Sequence, residues 1–324
     1  MARMIEPQGF CTEMTGLQDR LRCYAEKAAG AYAANTFKAW VSDAKVFWRW
    51  CQAHGHTPLP ANSESVEEFV RAVGSEKKMA TIRRHLASIG AIHRAAQLGD
   101  PTKDHGVTLA LRTLQREKAI TGEGRQRQAA PLNYAHLEAA FCTLGDRSID
   151  RFTRAIVAVA FECLARSEDL IRMNIEQLEV LDNGTGRLLI AQGKTDQTGA
   201  GKIMYLSATT VRLLHDWMVC APLHNGPLFR PVSKSGVVGE TRISHMAVVR
   251  AMQRVARAAG INVQGISAHS CRVGAAQDLL AEGFSLAEIM EAGRWSTERM
   301  PARYTENQAA ARGGMAQFCL RHNR

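Results

Sequence analysis

His269, Ser270, Cys271 and Arg272 stand together in the last fifth of the chain, followed by Gly293-Arg294-Trp295-Ser296 and then by Tyr304. If Ser270 caps a helix beginning near Cys271, His269 and Arg272 both fall at its positively polarised N-terminal end, a natural seat for a phosphate. From Phe284 onward the pattern Leu286, Ile289, Met290 predicts a short amphipathic helix, with Arg294 and Trp295 directly behind it. Tyr304 comes nine residues after Trp295, on or beside another short helix. A histidine, an arginine, an indole N–H and a phenol converging on one phosphodiester would make a phosphoryl-transfer site. The phenol would attack phosphorus while the donors stabilise the charge developing on the oxygens. Each residue alone has an ordinary alternative: Trp295 in the core, Tyr304 a half-buried aromatic, His269 a satisfied polar side chain. The specificity lies in the combination.

The rest of the chain must position these groups. Its 324 residues are enough for two domains with real cores, and 46% hydrophobic residues fit a globular chain. A formal charge of +10 calls for a polyanionic partner, nucleic acid or an acidic membrane. The eight cysteines contain no CxxC pair, and their scatter matches neither a disulfide framework nor a zinc site. Cys220 and His224 are too few for a metal. Reduced thiols and an intracellular protein are the expectation. Met1 to Met14 carries no apolar signal core, and the longest apolar run, Ala155 to Phe161, is far short of a membrane span.

Helical spacing of Phe37, Trp40, Val41, Ala44, Phe47, Trp48 and Cys51 predicts a helix over 36–53, and the prolines between Thr57 and Asn62 break it. Ser63 opens a second helix to Val73, with Glu64, Glu67 and Glu68 in its first turns. A third, from about Lys78 to Gln97, sets Ile82, Leu86, Ile89 and Ile92-His93 on one side, and Arg83, Arg84 and Ser88 on the other, with His85 nearby. A fourth covers Val107 to Lys118. Up to Pro131 there are nineteen Lys and Arg against thirteen Asp and Glu, so +6 of the +10 resides here. Any one of these charges reads first as a solvated helix face. Together they suit a bundle that lays helices along a DNA groove. Residues 120–130, polar and glycine-bearing, read as a linker that would let two domains close around a duplex as a clamp.

In the second half, Tyr134–Thr143 and the mostly apolar Ser148–Leu164 are predicted helices, the latter leading into Arg166 and Asp169. Two short apolar runs, Arg187–Ala191 and Ile203–Leu206, flank a Gly-rich loop and predict a β-hairpin. Its Gly193-Lys194-Thr195 is not a phosphate-binding P-loop, because Leu188 occupies the required glycine position and a strand follows in place of a helix. Helices are predicted over Thr209–Val219 and Ile243–Ala259. Arg242 and His245 at the start of the latter offer either a second DNA-facing surface or a solvated basic face. Gly313-Gly314 interrupts the C-terminal tail with its Met315, Phe318 and Leu320.

The string from Ser267 to Ala276 (Ser-Ala-His-Ser-Cys-Arg-Val-Gly-Ala-Ala), with Ile289-Met290-Glu291-Ala292-Gly293-Arg294-Trp295 and Tyr304, closely resembles the tyrosine recombinases, or phage integrases. The resemblance extends over roughly residues 36–318, including the Thr-aromatic-Lys opening at Thr36. It implies a mainly α fold with a small β-hairpin or sheet. An N-terminal extension (1–34) would precede a helical, SAM-like core-binding domain (35–119), a linker (120–131), and a catalytic domain with a C-terminal docking tail (132–324), forming a C-shaped DNA clamp. Tyr304 would attack a DNA phosphodiester, giving a 3′-phosphotyrosyl link and a free 5′-OH. Arg166 and Arg272 would bind the non-bridging oxygens, with Trp295 and His269 helping, and Asp169 would orient its neighbours. Lys194 would protonate the leaving oxygen, with Lys202 across the same loop as the alternative.

The resemblance further implies that Lys38, Arg83, Arg84 and His85 face double-stranded DNA. It implies a homotetramer on two inverted-repeat sites, no metal, ATP or other cofactor, and a site of action in the bacterial cytoplasm. A type IB topoisomerase or telomere resolvase would use the same residues, and a non-catalytic DNA-binding protein could retain the frame.

Overall fold

The structure, a computed structural model, describes residues 8–32, 34–122, 128–190 and 201–322. The chain divides into two compact units, residues 1–127 and 128–324. The fold is mainly α, with one small antiparallel sheet.

The first unit holds α1 (Gln8–Lys27), α2 (Ala34–His54), α3 (Ser63–Gly74), α4 (Met79–Ala95) and α5 (His105–Ile120). The segment expected to be a plain extension thus contributes a helix, α1, with the sequence QGFCTEMTGLQDRLRCYAEK. The helices start where the sequence supplies caps: Asn62 Oδ1 accepts the Ser65 N–H at 2.9 Å, and Asp104 Oδ1 accepts that of Gly106 at 2.7 Å. Phe47, Cys51, Val66, Phe69, Ile82, Leu86, Ile89 and Val107 close one core between α2, α3, α4 and α5.

The second unit runs α6 (Tyr134–Thr143), α7 (Ser148–Glu162), α8 (Ser167–Arg172), β1 (Leu178–Val180), β2 (Gly186–Ile190), β3 (Lys202–Leu206), α9 (Ala208–Cys220) and α10 (His245–Ala258). It ends with α11 (Ser270–Ala281), α12 (Leu286–Gly293), α13 (Arg299–Tyr304), α14 (Glu306–Arg312) and α15 (Gly314–Arg321). Gly313 and Gly314 do break the tail into two helices.

The sheet is three-stranded in the order β1-β2-β3; β1, with only three residues, is too short to leave a period in the sequence. Leu188 faces Met204 and Gly186 faces Leu206 across the β2–β3 pair, and these positions point into the core. Ile203 and Tyr205 alternate outward. Helix α7 is apolar on nearly every side, with Phe152 and the run from Ala155 to Ala160 all buried, so it forms the axis around which α6, α9, α10 and α11 pack. Gly274 lets α11 approach the chain at Leu132: a Cβ there would lie 1.9 Å from the Leu132 carbonyl oxygen. Among the described residues no helix is long and apolar enough to cross a membrane.

Candidate active site

The site forms where the C-terminal end of α7, the N-termini of α8 and α11, and the turn after α12 meet. Arg272, on the first turn of α11, is only 2% exposed. A buried guanidinium is costly unless its donors are used. Here Nη1 donates to the Leu164 carbonyl and Nη2 to the Gly293 carbonyl, while the guanidinium carbon lies 4.0 Å from the centre of the Trp295 ring. Both carbonyls are available because each helix has just ended: Leu164, at φ 42°, turns out of α7, and Gly293 is the last residue of α12. Burial, with the nearby charges of Arg166 and Arg294, pushes the pKa of Arg272 down to about 9; Tyr304 and Asp169 act in the other direction. It therefore remains a cation at neutral pH.

Ser270, expected as the cap of α11, is its first residue instead, and His269 precedes it. The Ser270 hydroxyl accepts the Ser267 N–H at 2.9 Å, closing the turn that carries His269. Desolvation by the surrounding protein holds the His269 pKa below its ordinary value, and the charges of Arg272, His245 and Arg166 add to it. The imidazole is thus neutral at pH 7 and able to accept a proton. His245 sits beside it, its Nδ1 at 2.9 Å from the Ser167 hydroxyl.

Arg166 caps α8 and is half-buried. Asp169, 6% exposed, accepts the Arg166 N–H on Oδ2 at 3.0 Å, and the same oxygen accepts Arg294 Nη2 at 2.7 Å. Trp295 packs with Leu164, Ala275, Ala276 and Ile289, and its ring meets Tyr304 edge-on, centroids 5.8 Å apart. Its core role and its place in the site coincide. Tyr304 ends α13; the carbonyl of Tyr304 accepts the side-chain N–H groups of Gln277 at 3.0 Å and Gln128 at 3.2 Å, which fixes the helix end from which the phenol projects. Arg166, Asp169, His269, Arg272, Trp295 and Tyr304 are thus drawn to one place from segments up to 138 residues apart. Three guanidinium groups, those of Arg166, Arg272 and Arg294, act against one carboxylate, Asp169, a balance that suits an anion.

Lys194 lies outside the described residues. Lys202 opens β3, half in solvent, with Nζ 3.2 Å from the Glu291 carbonyl at the end of α12. Arg294 was not singled out by the sequence reading. A long charged side chain immediately after the glycine that closes a helix was the available signal, since such a turn favours a residue that tolerates positive φ.

The residues expected to face DNA fall into different surroundings. Lys38 is exposed on α2, and Arg83 is exposed on α4 with Nη2 2.7 Å from Gln115 Oε1. Arg84 is half-exposed and pairs at 2.9 Å with Asp43, a carboxylate on α2 that is 1% exposed. His85 does not face outward: it is 3% exposed, with Nδ1 3.0 Å from Asp43 Oδ1, and Ser88 Oγ donates to Asp43 Oδ2 at 2.8 Å. The buried carboxylate draws both polar side chains into the interface between α2 and α4. Burial lowers the His85 pKa, against the pull of Asp43. Arg242 spends Nη1 on the Ile171 carbonyl at 3.0 Å and Nη2 on Asn174 Oδ1 at 2.7 Å, bracing the exit from α8. Among the described residues no group of three or more His, Cys, Asp or Glu is placed to hold a metal.

Two relatives align over most of their length. An integrase/recombinase xerD homolog of Selenomonas ruminantium is 28% identical over 284 residues, covering 85% of this chain and 82% of that protein. Recombinase cre of Escherichia phage P1 is 27% identical over 307 residues, covering 89% and 88%. In fold, the chain is similar to the Tn1549 transposon integrase in complex with transposon right end DNA, with TM-score 0.61, 10% identity, and 88% and 94% of the two chains covered. It is likewise similar to a lambda integrase tetramer bound to a Holliday junction, with TM-score 0.57, 16% identity, and 93% and 81% covered. The model of the phage integrase family matches residues 132–311, more than half of the chain, and so takes in every group just described from Arg166 to Tyr304. This chain belongs to the phage integrase family, the tyrosine recombinases.

Proposed function

We propose that the chain is a site-specific DNA recombinase that breaks and rejoins DNA through a covalent phosphotyrosyl link. The observation that carries this reading is the cluster itself: a buried Arg272 stacked on Trp295, Trp295 against Tyr304, and His269 in the field of Arg166 and Arg272. The phenol oxygen of Tyr304 attacks phosphorus; the P–O5′ bond breaks, leaving a 3′-phosphotyrosyl link and a free 5′-OH. Arg166 and Arg272 hold the non-bridging oxygens, aided by the Trp295 N–H, and His269 assists the proton transfer at the phenol. Removal of one such donor costs about 10²–10³ in rate. A lysine of the β2–β3 loop, Lys194 or alternatively Lys202, protonates the departing oxygen. The ester energy stays in the covalent link, so religation by the 5′-OH of a second duplex completes strand exchange without ATP.

The two units correspond on this reading to a DNA-binding module ending near residue 119, a linker, and a catalytic domain from residue 132. Lys38, Arg83 and Arg84 would contact the duplex. Four protomers would act on two inverted-repeat sites, a reading supported by the tetramer in the lambda integrase structure.

Covalent capture tests the proposal. Protein is mixed with fragmented DNA from its source and denatured, and the linked fragments are sequenced, with Tyr304→Phe in parallel. Adducts on a shared inverted repeat, absent in the variant, are expected. Adducts without sequence preference would replace the reading by a type IB topoisomerase. Adducts that persist in Tyr304→Phe would remove the nucleophile, and binding without adducts would point to a non-catalytic DNA-binding protein.

A further inference from the structure

Arg294 occupies an unusual backbone position. It follows the last residue of α12 at φ 55° and ψ 47°, the left-handed region where a helix ordinarily ends on glycine. The turn does not need a side chain there; glycine would adopt it without steric cost. Yet the Arg294 side chain is only 11% exposed, and its guanidinium is spent inward, on Asp169. Its Nε is buried and has no hydrogen-bond partner among the described residues. An L-residue thus stands in a glycine conformation with its charge buried behind it, against the Asp169 carboxylate.

The contacts indicate what the arrangement supplies. Asp169 Oδ2 receives both Arg294 Nη2 and the backbone N–H of Arg166, so Arg294 fixes the carboxylate that fixes the start of α8 at Arg166. The residues on either side of Arg294 hold the other arginine: Gly293 through its carbonyl and Trp295 through its ring face. The three residues from Gly293 to Trp295 therefore touch the supports of both phosphate-binding arginines. Only the Arg294 side chain reaches the Arg166 half.

We propose that Arg294 is a positioning residue of the cleavage reaction: through Asp169 it sets Arg166 in register with Arg272, so that both guanidinium groups meet the same phosphate. The inference rests on the recombinase reading of the site. Its charge also adds to the positive field on Arg272, which a bound phosphate would relieve.

The test is single-turnover formation of the covalent adduct on duplex fragments captured by the wild-type chain, compared across Arg294→Gly, Arg294→Lys, Asp169→Asn and the double variant Arg294→Gly/Asp169→Asn. Thermal unfolding of each free protein is followed in parallel. Arg294→Gly leaves the buried Asp169 carboxylate without its guanidinium, so its unfolding temperature should fall, and at a temperature where the protein is fully folded it should still form adduct at least tenfold more slowly. Arg294→Lys should recover part of the rate. The double variant should be no slower than the slower single variant, because both changes act on one link. Arg294→Gly cleaving at the wild-type rate would overturn the proposal, and so would independent, multiplicative losses in the double variant. A rate loss that disappears once the rate is referred to the folded fraction would assign Arg294 a purely structural role. A wild-type chain that forms no adduct would instead overturn the recombinase reading, and the assignment of Arg294 with it.

Discussion

Replacing Gly293 by alanine adds one methyl group at the point where the site is most tightly closed. A Cβ on residue 293 would fall 1.9 Å from Cζ3 of Trp295, 2.1 Å from Cε3 and 2.6 Å from Cη2. Ordinary contact begins near 3.4 Å, so the indole must retreat by about 1.5 Å or α12 must shift by as much. Either movement separates Trp295 from the Arg272 guanidinium, now 4.0 Å from its ring centre, and from the edge of Tyr304. The stability loss combines overpacking, about 1–3 kcal/mol, with the loss of a desolvated cation–π contact, about 2 kcal/mol. The catalytic loss should be larger, because a displacement of about 1 Å can cost about 10² in rate and the indole N–H is itself a proposed donor. Gly293→Ala should therefore lower single-turnover adduct formation by about 10²–10³, which is about 2.7–4 kcal/mol of barrier. Measuring the rate well below the unfolding transition separates it from the fraction folded. A folded Gly293→Ala protein that cleaves at the wild-type rate would show that Trp295 and its stack on Arg272 do not matter to the chemistry.

Arg272→Ala should abolish adduct formation and also lower the unfolding temperature. It leaves the Leu164 and Gly293 carbonyls without their buried donor, at about 1–3 kcal/mol for each unpaired group, and calorimetry checks the second effect. In the first unit, buried His93 sits with Nδ1 2.8 Å from the Ile89 carbonyl, while its Nε2 accepts the Ala61 N–H at 2.9 Å. That fixes the neutral tautomer, and burial lowers its pKa. His85 is lowered in the same way. Because the unfolded state binds protons first, stability is intact above about pH 6.5 and falls as the pH drops through that value toward the lower folded pKa. Unfolding curves between pH 7.5 and 5.5 should show this slope, and His93→Gln should reduce it; an unchanged slope would contradict the assignment.

Much of the molecule was legible in one dimension. The helices over α2 to α7 and α9 to α12 follow from apolar spacing and from breaks such as the prolines before Ser63, which depend on neighbours a few residues away. The string around His269 and Arg272, with Trp295 and Tyr304, carried the proposed chemistry, because the combination closely resembles the tyrosine recombinases. Missed elements were those with little local pattern: the three-residue β1, the six-residue α8, and α1, which lies in a stretch read only as an extension.

The tertiary structure decided where the polar side chains point. Arg272 is buried because two other segments end at Leu164 and Gly293 and leave carbonyls facing it, one of them 108 residues away. His85 and Ser88 lie on α4 beside exposed Arg83 and Arg84, but Asp43 from α2 draws them inside. Arg294 is a surface-type residue in sequence and an interior one in space, because Asp169 is 125 residues away in sequence and in hydrogen-bonding reach in the fold. Residue type and spacing determine which chemistry is possible and which helices will carry it. Which charge meets which carbonyl depends on contacts between segments distant in sequence, and only the packed chain holds that information.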